Sequence, residues 1–159
     1  MSQFWSSRDV LVTGGASFIG SHLVDRLIER GARVRIVDDL SSGKIENIQG
    51  HIDAGRVEFM KDDLRRPGVA QRAVEGMNTV FHLAADHGGR GYVDLHQAAC
   101  ASNLALDGIL FLACRDAGVE KIVFGSNNNL KDNHYYILMK WGKNMSFYSS
   151  AKFCYSILY

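Results

Sequence analysis

Cysteine is scarce in this chain and does not pair. Cys100, Cys114 and Cys154 are the only three, widely spaced and with no Cys-x-x-Cys. That excludes a disulfide framework or a cysteine metal site and predicts reduced thiols. A single proline, Pro67, leaves no proline-rich linker. An excess of charge of one sign is also missing: 18 Lys plus Arg against 17 Asp plus Glu leave +1. No basic face for nucleic acid or for an anionic membrane is therefore expected. Met1–Arg8 lacks the basic start and apolar core of a signal peptide, and no apolar run approaches a membrane span. The expectation is a cytoplasmic protein with neither nucleic-acid nor membrane partners. None of the six histidines stands at metal-site spacing from acidic or cysteine partners, so no metal is expected.

What the chain has is alternation. Its 159 residues suffice for one domain that buries roughly two-thirds of its unfolded surface. Apolar strands at Val10–Thr13, Arg33–Val37, Val57–Met60, Thr79–Leu83 and Lys121–Phe124 are separated by helical patterns at Phe18–Arg30, Pro67–Glu75 and Val93–Ala117. Nearly uniform apolar strands alternating with helices predict an α/β fold: a doubly wound parallel sheet of Rossmann type, with helices on both faces. Ligands of such sheets sit at the carboxyl ends of the strands. This gathers Gly14–Gly20, Asp38, Asp63, Leu83–His87 and Ser126 around one crevice.

The most informative stretch runs from Val10 to Val24: a strand, a glycine turn and an amphipathic helix. Glycines let the chain reverse tightly and let a phosphate approach bare amides at the positive end of a helix. About twenty positions on, Asp38 ends the second strand, placed to accept from the two ribose hydroxyls of an adenosine. The alternative is an ordinary loop acid. A 2′-phosphate there would meet like charge, and neither Asp39 nor Leu40 supplies a neutralising arginine, so NAD is expected rather than NADP.

These residues also carry a family resemblance. Thr13-Gly14-Gly15-Ala16-Ser17-Phe18-Ile19-Gly20, Asp38-Asp39-Leu40, Asp62-Asp63-Leu64-Arg65 and His82-Leu83-Ala84-Ala85 resemble the successive motifs of the extended short-chain dehydrogenase/reductase family, the NAD-dependent nucleotide-sugar epimerases and dehydratases. The likeness spans about residues 9–126. It implies that Gly14, Ser17, Phe18, Ile19 and Gly20 line the pyrophosphate and that Asp38, Asp39 and Leu40 surround the adenosine ribose. It also implies that Asp63 and Leu64 meet the adenine, that Leu83, Ala84 and Ala85 form the nicotinamide side, and that the substrate is a nucleotide sugar. Ser17 stands where the family usually has glycine; its hydroxyl could cap the helix or donate to phosphate. The segment Ala84–Tyr92 is similar to a loop of the GDP-mannose 3,5-epimerases, with Arg90 able to pair with a diphosphate. Asn103 matches a helix asparagine that supports the active-site backbone there. His22, His82 and His87 read as packing or surface residues.

The family's chemistry implies a tyrosine base, a lysine four residues later and a Ser or Thr. Tyr148 and Lys152 have that spacing, 22 residues beyond Ser126 (148 − 126), and are the catalytic candidates with Ser126. Tyr136 and Lys140 have the same spacing, so the motif alone decides little. By offset the Ser/Thr position falls on Asn127, and the cysteine of the 3,5-epimerases falls on Asn129. Composition also changes: all eleven arginines and all twelve valines lie within residues 1–126. The division expected is a dinucleotide-binding domain over 1–126 and an atypical tail over 127–159, either a divergent loop or a shifted frame or exon. The family's later strands and sugar-gripping lobe are expected to be missing, leaving a chain that binds NAD without turnover. An exposed sheet flank that invites a homo-oligomer follows, covered at most by helices at Tyr135–Trp141 and Phe147–Tyr159.

Overall fold

The computed structural model describes residues 4–86, 90–126, 135–140 and 146–149. Five parallel strands form its centre: β1 (Asp9–Thr13), β2 (Arg33–Asp38), β3 (Val57–Lys61), β4 (Thr79–His82) and β5 (Lys121–Ser126). Two antiparallel strands, β6 (Tyr135–Lys140) and β7 (Ser146–Ser149), extend the sheet, whose order is β3-β2-β1-β4-β5-β6-β7.

The alternation of side chains along β1 sorts the core into two layers. Val10 and Val12 pack beneath α1 (Phe18–Glu29) with Leu23, Val24 and Leu27. Leu11 faces the other side, where α3 (Val69–Val74) and α6 (Asn103–Asp116) supply Val69, Ala73, Leu106 and Leu110. Val10, Leu11 and Val12 are all fully buried, as a strand covered on both faces requires. Helix α1 stops at Gly31, whose φ of +82° is the left-handed conformation of a helix C-terminus. Arg35 of β2 is mostly buried and turns its Nη1 to the carbonyls of Arg72, Ala73 and Glu75, capping α3 with a cation, while its Nε donates to Glu58. Cys114 lies in the core, and burial pushes its thiol up to about 12. Cys154 lies outside the described residues.

The expected helix over 93–117 is three helices, α4 (Arg90–Leu95), α5 (Gln97–Ala101) and α6. The chain bends at His96 (φ −125°, ψ 39°), whose ring stacks on Tyr92 at 4.1 Å and whose Nδ1 lies 3.0 Å from the Tyr92 carbonyl oxygen. The same carbonyl accepts the His96 backbone amide at 2.9 Å. From Gln97 to Asp116 the path is a helical run of 20 residues, within which an 18-residue window has a mean hydropathy of 1.4. It is long and apolar enough to cross a membrane, contrary to the sequence expectation that no such run exists. Core helices share this property, and α6 packs one face on α3 and the sheet. A short helix α2 (Gln49–Asp53), absent from the sequence reading, precedes β3.

The segments expected as helices over the flank of β5 are strands where described. Tyr135–Lys140 pairs antiparallel with β5, Ser126 opposite Tyr135 and Lys121 opposite Lys140, and β7 pairs with β6. Tyr-Tyr-Ile-Leu-Met suits a pleated surface, and the free edge of β5 offers it hydrogen-bonding partners. The edge of β5 is thus filled by this chain itself.

Candidate functional site

The chain leaves β1 toward β2 on one side and β4 lies on the other, so the carboxyl ends of β1 and β4 border a crevice where the strand order reverses. The crevice encloses ≈ 610 Å³ of space open to solvent. The expected residues Gly14, Ser17, Asp38, Asp39, Asp63 and Leu64 line it, and so do Leu83, Ala84 and Ala85.

Gly14 opens the turn with φ +69°, and a Cβ on it would meet the Ala84 nitrogen at 2.9 Å. Both demands admit only glycine. A Cβ on Gly20 would collide with the Gly14 carbonyl, so the first turn of α1 sits directly on the glycine turn. Ser17 is the N-cap: its Oγ accepts from the Gly20 amide at 3.2 Å and donates to the Gly14 carbonyl at 2.7 Å. The hydroxyl has one proton and it is committed, so of the two expected roles the structure shows capping. The Phe18 and Ile19 side chains are 78% and 61% exposed, and their amides have no acceptor among the described residues. Two free N–H groups at the positive end of α1 suit an anion.

Asp38 is 7% exposed, and its carboxylate is suspended between two amides, Ala16 N–H to Oδ2 and Leu40 N–H to Oδ1, each at 2.9 Å. Leu40 reaches this position with φ +60°, while its side chain packs on the core. Gly43 lies over the carboxylate, where a Cβ would come within 2.8 Å of Oδ1. The Ala16 carbonyl takes both the Lys44 amide and the Asn47 side chain, which ties the segment after β2 to the glycine turn.

Asp63 is gripped by Arg65, which donates from Nε to Oδ1 and from Nη2 to Oδ2, each at 2.9 Å; the Arg65 amide also reaches Oδ1. The guanidinium holds the Asp63 carboxyl below the usual carboxylate range. Nη1 of Arg65 crosses to Ser102 Oγ at 2.8 Å, at the start of α6. The Leu64 side chain is core, so only its backbone serves the crevice. Among the described residues, five aspartates and one arginine, Arg65, supply the charge of the lining.

Beneath the β4 exit lies a buried chain that sequence reading missed. Thr13 Oγ1 accepts from the Leu83 and Ala84 amides at 3.2 and 3.1 Å and lies 2.7 Å from His82 Nδ1; His82 Nε2 lies 3.0 Å from Asp107 Oδ1. Thr13 and His82 are register partners at the ends of β1 and β4, a pairing visible in sequence only once the strand order is known. Asn103 clamps the backbone of Asp86, accepting its N–H at 2.8 Å and donating to its carbonyl at 2.9 Å. Asp86 in turn accepts the Tyr92 hydroxyl at 2.8 Å, which raises the phenol above its ordinary range. Thr13 and Arg65 stand inside the quoted motif segments without a role assigned to them, and Asp107 lies outside those segments.

Of the three catalytic candidates, Ser126 and Tyr148 fall on described backbone. Ser126 ends β5, whereas Tyr148 lies on β7 opposite Leu138, which is itself opposite Val123. Tyr148 therefore stands in a strand rather than on a helix. Lys152, His87, Asn127 and Asn129 lie outside the described residues.

The chain is 39% identical over 118 residues to a UDP-glucose 4-epimerase of Mycolicibacterium smegmatis, a match covering 74% of this chain and 38% of the relative. Among solved structures it resembles UDP-glucose 4-epimerase from Thermotoga maritima with UDP-glucose (37% identity, TM-score 0.67, 75% of this chain and 38% of that one). It also resembles the UDP-glucose-4-epimerase of Stenotrophomonas maltophila with bound NAD and formylated UDP-arabinopyranose (30% identity, TM-score 0.69, 80% and 39%). The chain thus spans about two-fifths of the length of these relatives. Residues 10–154 match the description "NAD dependent epimerase/dehydratase family", and on that match the chain belongs to this family of Rossmann-type proteins.

Proposed function

We propose that this chain is the NAD-binding portion of a nucleotide-sugar epimerase or dehydratase. The observation that carries the reading is the Asp38 carboxylate, buried at the end of β2 and oriented by the Ala16 and Leu40 amides. A carboxylate already holding two N–H donors has lone pairs left for two ribose hydroxyls, and its charge opposes a 2′-phosphate. The residues fit the cofactor along its length. Phe18 and Ile19 offer amides to the pyrophosphate, Asp63 and the Leu64 backbone face the adenine, and Leu83–Ala85 form the nicotinamide wall. When bound, NAD supplies a reversible hydride acceptor. The chain orients it, and the Thr13 bonds to Leu83 and Ala84 keep the nicotinamide wall in place.

The companion reading is that residues 127–159 do not complete a working Tyr148, Lys152 and Ser126 site. The backbone register supports it: Tyr148 is three residues back from Ser126 along the sheet and two strands away, about 10 Å in each direction. Calorimetric titration with NAD and NADP tests the first reading; equal affinity for the two would sink it. Incubation with NAD and UDP-, GDP- and dTDP-sugars tests the second, with no product above background expected. Turnover that vanishes in Tyr148→Phe would restore the full catalytic assignment.

A further inference from the structure

We propose that Asp107 is a positioning residue for the nicotinamide end of the site, acting from outside the crevice through the tautomer of His82 and the hydroxyl of Thr13. The proposal rests on the reading above that Leu83–Ala85 form the nicotinamide wall.

The path crosses three elements. Asp107 Oδ1, on α6, lies 3.0 Å from Nε2 of His82, which is 1% exposed at the end of β4. Nδ1 of the same ring lies 2.7 Å from Thr13 Oγ1, at the end of β1. That oxygen accepts the Leu83 and Ala84 amides, the first two residues of the wall. The Leu83 amide is shared with the Thr13 carbonyl at 3.2 Å, whereas the Ala84 amide has no second acceptor among the described residues. The ring is held in this orientation from both sides: Phe124 of β5 stacks on it at 5.7 Å, and Phe111 of α6 meets it edge to face at 6.0 Å.

Lone pairs set the chemical consequence. A hydroxyl that donates its own proton has two lone pairs, and Thr13 gives both to amides of the wall. Nδ1 must therefore accept, which leaves the ring proton on Nε2. A carboxylate oxygen facing Nε2 accepts and does not donate, so Asp107 selects this tautomer. Without Asp107 the buried Nε2–H loses its partner, and the neutral ring relieves the loss by carrying its proton on Nδ1 instead. Nδ1–H is then a third donor aimed at an oxygen that can take two. One amide must yield, and the wall is loosened at Leu83 or Ala84.

The test compares NAD with ADP-ribose, which carries the adenosine and the pyrophosphate but no nicotinamide, each titrated calorimetrically into the full chain. Wild type is expected to bind NAD about tenfold more tightly than ADP-ribose, the equivalent of about one net hydrogen bond. Asp107→Leu is expected to narrow that ratio toward unity by weakening NAD alone, and to bring the His82 imidazole to the Nδ1–H form in nitrogen-15 spectra. Asp107→Asn, whose carboxamide oxygen still accepts from Nε2, is expected to keep both the ratio and the Nε2–H form. A merely structural Asp107 would weaken both ligands equally, so an unchanged ratio in Asp107→Leu overturns the proposal. An imidazole that stays in the Nε2–H form in that variant overturns it too. Should Asp107→Leu not fold, Asp107→Ala decides on the same terms. Wild type that prefers NAD to NADP yet takes ADP-ribose as tightly as NAD overturns the proposal while leaving the NAD reading standing. Wild type that binds none of the three overturns both.

Discussion

The Thr13 hydroxyl and the His82 imidazole, 2.7 Å apart at the floor of the crevice, fix each other's protons. Thr13 Oγ1 already accepts two amides, so its own proton points at His82 Nδ1. His82 is 1% exposed and is left with its proton on Nε2, donated to Asp107. Nitrogen-15 spectra of the imidazole are expected to report the Nε2–H form; an Nδ1–H form would refute the assignment. Thr13→Val strands His82 Nδ1 and the Ala84 amide in the interior and is expected to cost about 1–3 kcal/mol in urea denaturation. Thr13→Ser, which keeps the hydroxyl, is expected to cost less.

Replacing Asp38 with Ala is expected to weaken NAD binding by about 1.5–3 kcal/mol, roughly tenfold to more than a hundredfold. Asp38→Asn is expected to do no better. Both carboxylate oxygens accept backbone amides, so one side of the new carboxamide would turn N–H toward N–H. Calorimetry with the two variants checks this, and an Asn variant of wild-type affinity would contradict the assigned geometry.

Ser17→Gly is expected to change NAD affinity by less than about 1.4 kcal/mol, since the hydroxyl proton goes to the Gly14 carbonyl and not to the cofactor. The loss appears in stability instead. Ser17→Ala removes the cap of α1 and is expected to cost about 1 kcal/mol, with the Gly variant only a few tenths. A tenfold or greater loss of affinity in Ser17→Gly would mark the hydroxyl as a phosphate donor after all.

Acid sensitivity is expected at the amino edge of the sheet. Arg33 donates from Nε and Nη2 to the Asp9 carboxylate and holds it below its ordinary range. A folded-state value below the unfolded one stabilises the fold above the unfolded value and ceases to do so as pH falls through the folded one. The pair is partly exposed, so the contribution is small. The gap in denaturation midpoint between wild type and Asp9→Asn is expected to hold steady down to about pH 4 and to shrink below it. A gap that stays constant in stronger acid would rule the pair out as its source.

The parallel sheet was legible because its strands are uniformly apolar and its punctuation is strong. Gly14, Gly20 and Asp38 announce themselves by type and spacing; the structure brings Gly14 and Asp38 to one crevice and packs Gly20 against the glycine turn. The buried relay was not legible, since Thr13, His82 and Asp107 are three ordinary residues on three elements, joined only when β4 lies beside β1. Arg35 was hidden for the same reason: nothing in a strand sequence says that its arginine will cap the helix that follows the next strand. Residues 135–140 and 146–149 misled in the opposite sense. Their aromatic and aliphatic residues suit either a helix face or a pleat, and the open edge of β5 decided for the pleat.

The contact between the glycine turn and the β4 exit makes two walls of the crevice a single mechanical part. Gly14 abuts Ala84 with no room for a methyl group, and the neighbouring Thr13 holds the same peptide by its amide. A bulkier residue at position 14 would act as a wedge, opening the glycine turn and displacing Leu83–Ala85 in one movement. The two cannot drift independently, so wear at one end of the groove is felt as misalignment at the other.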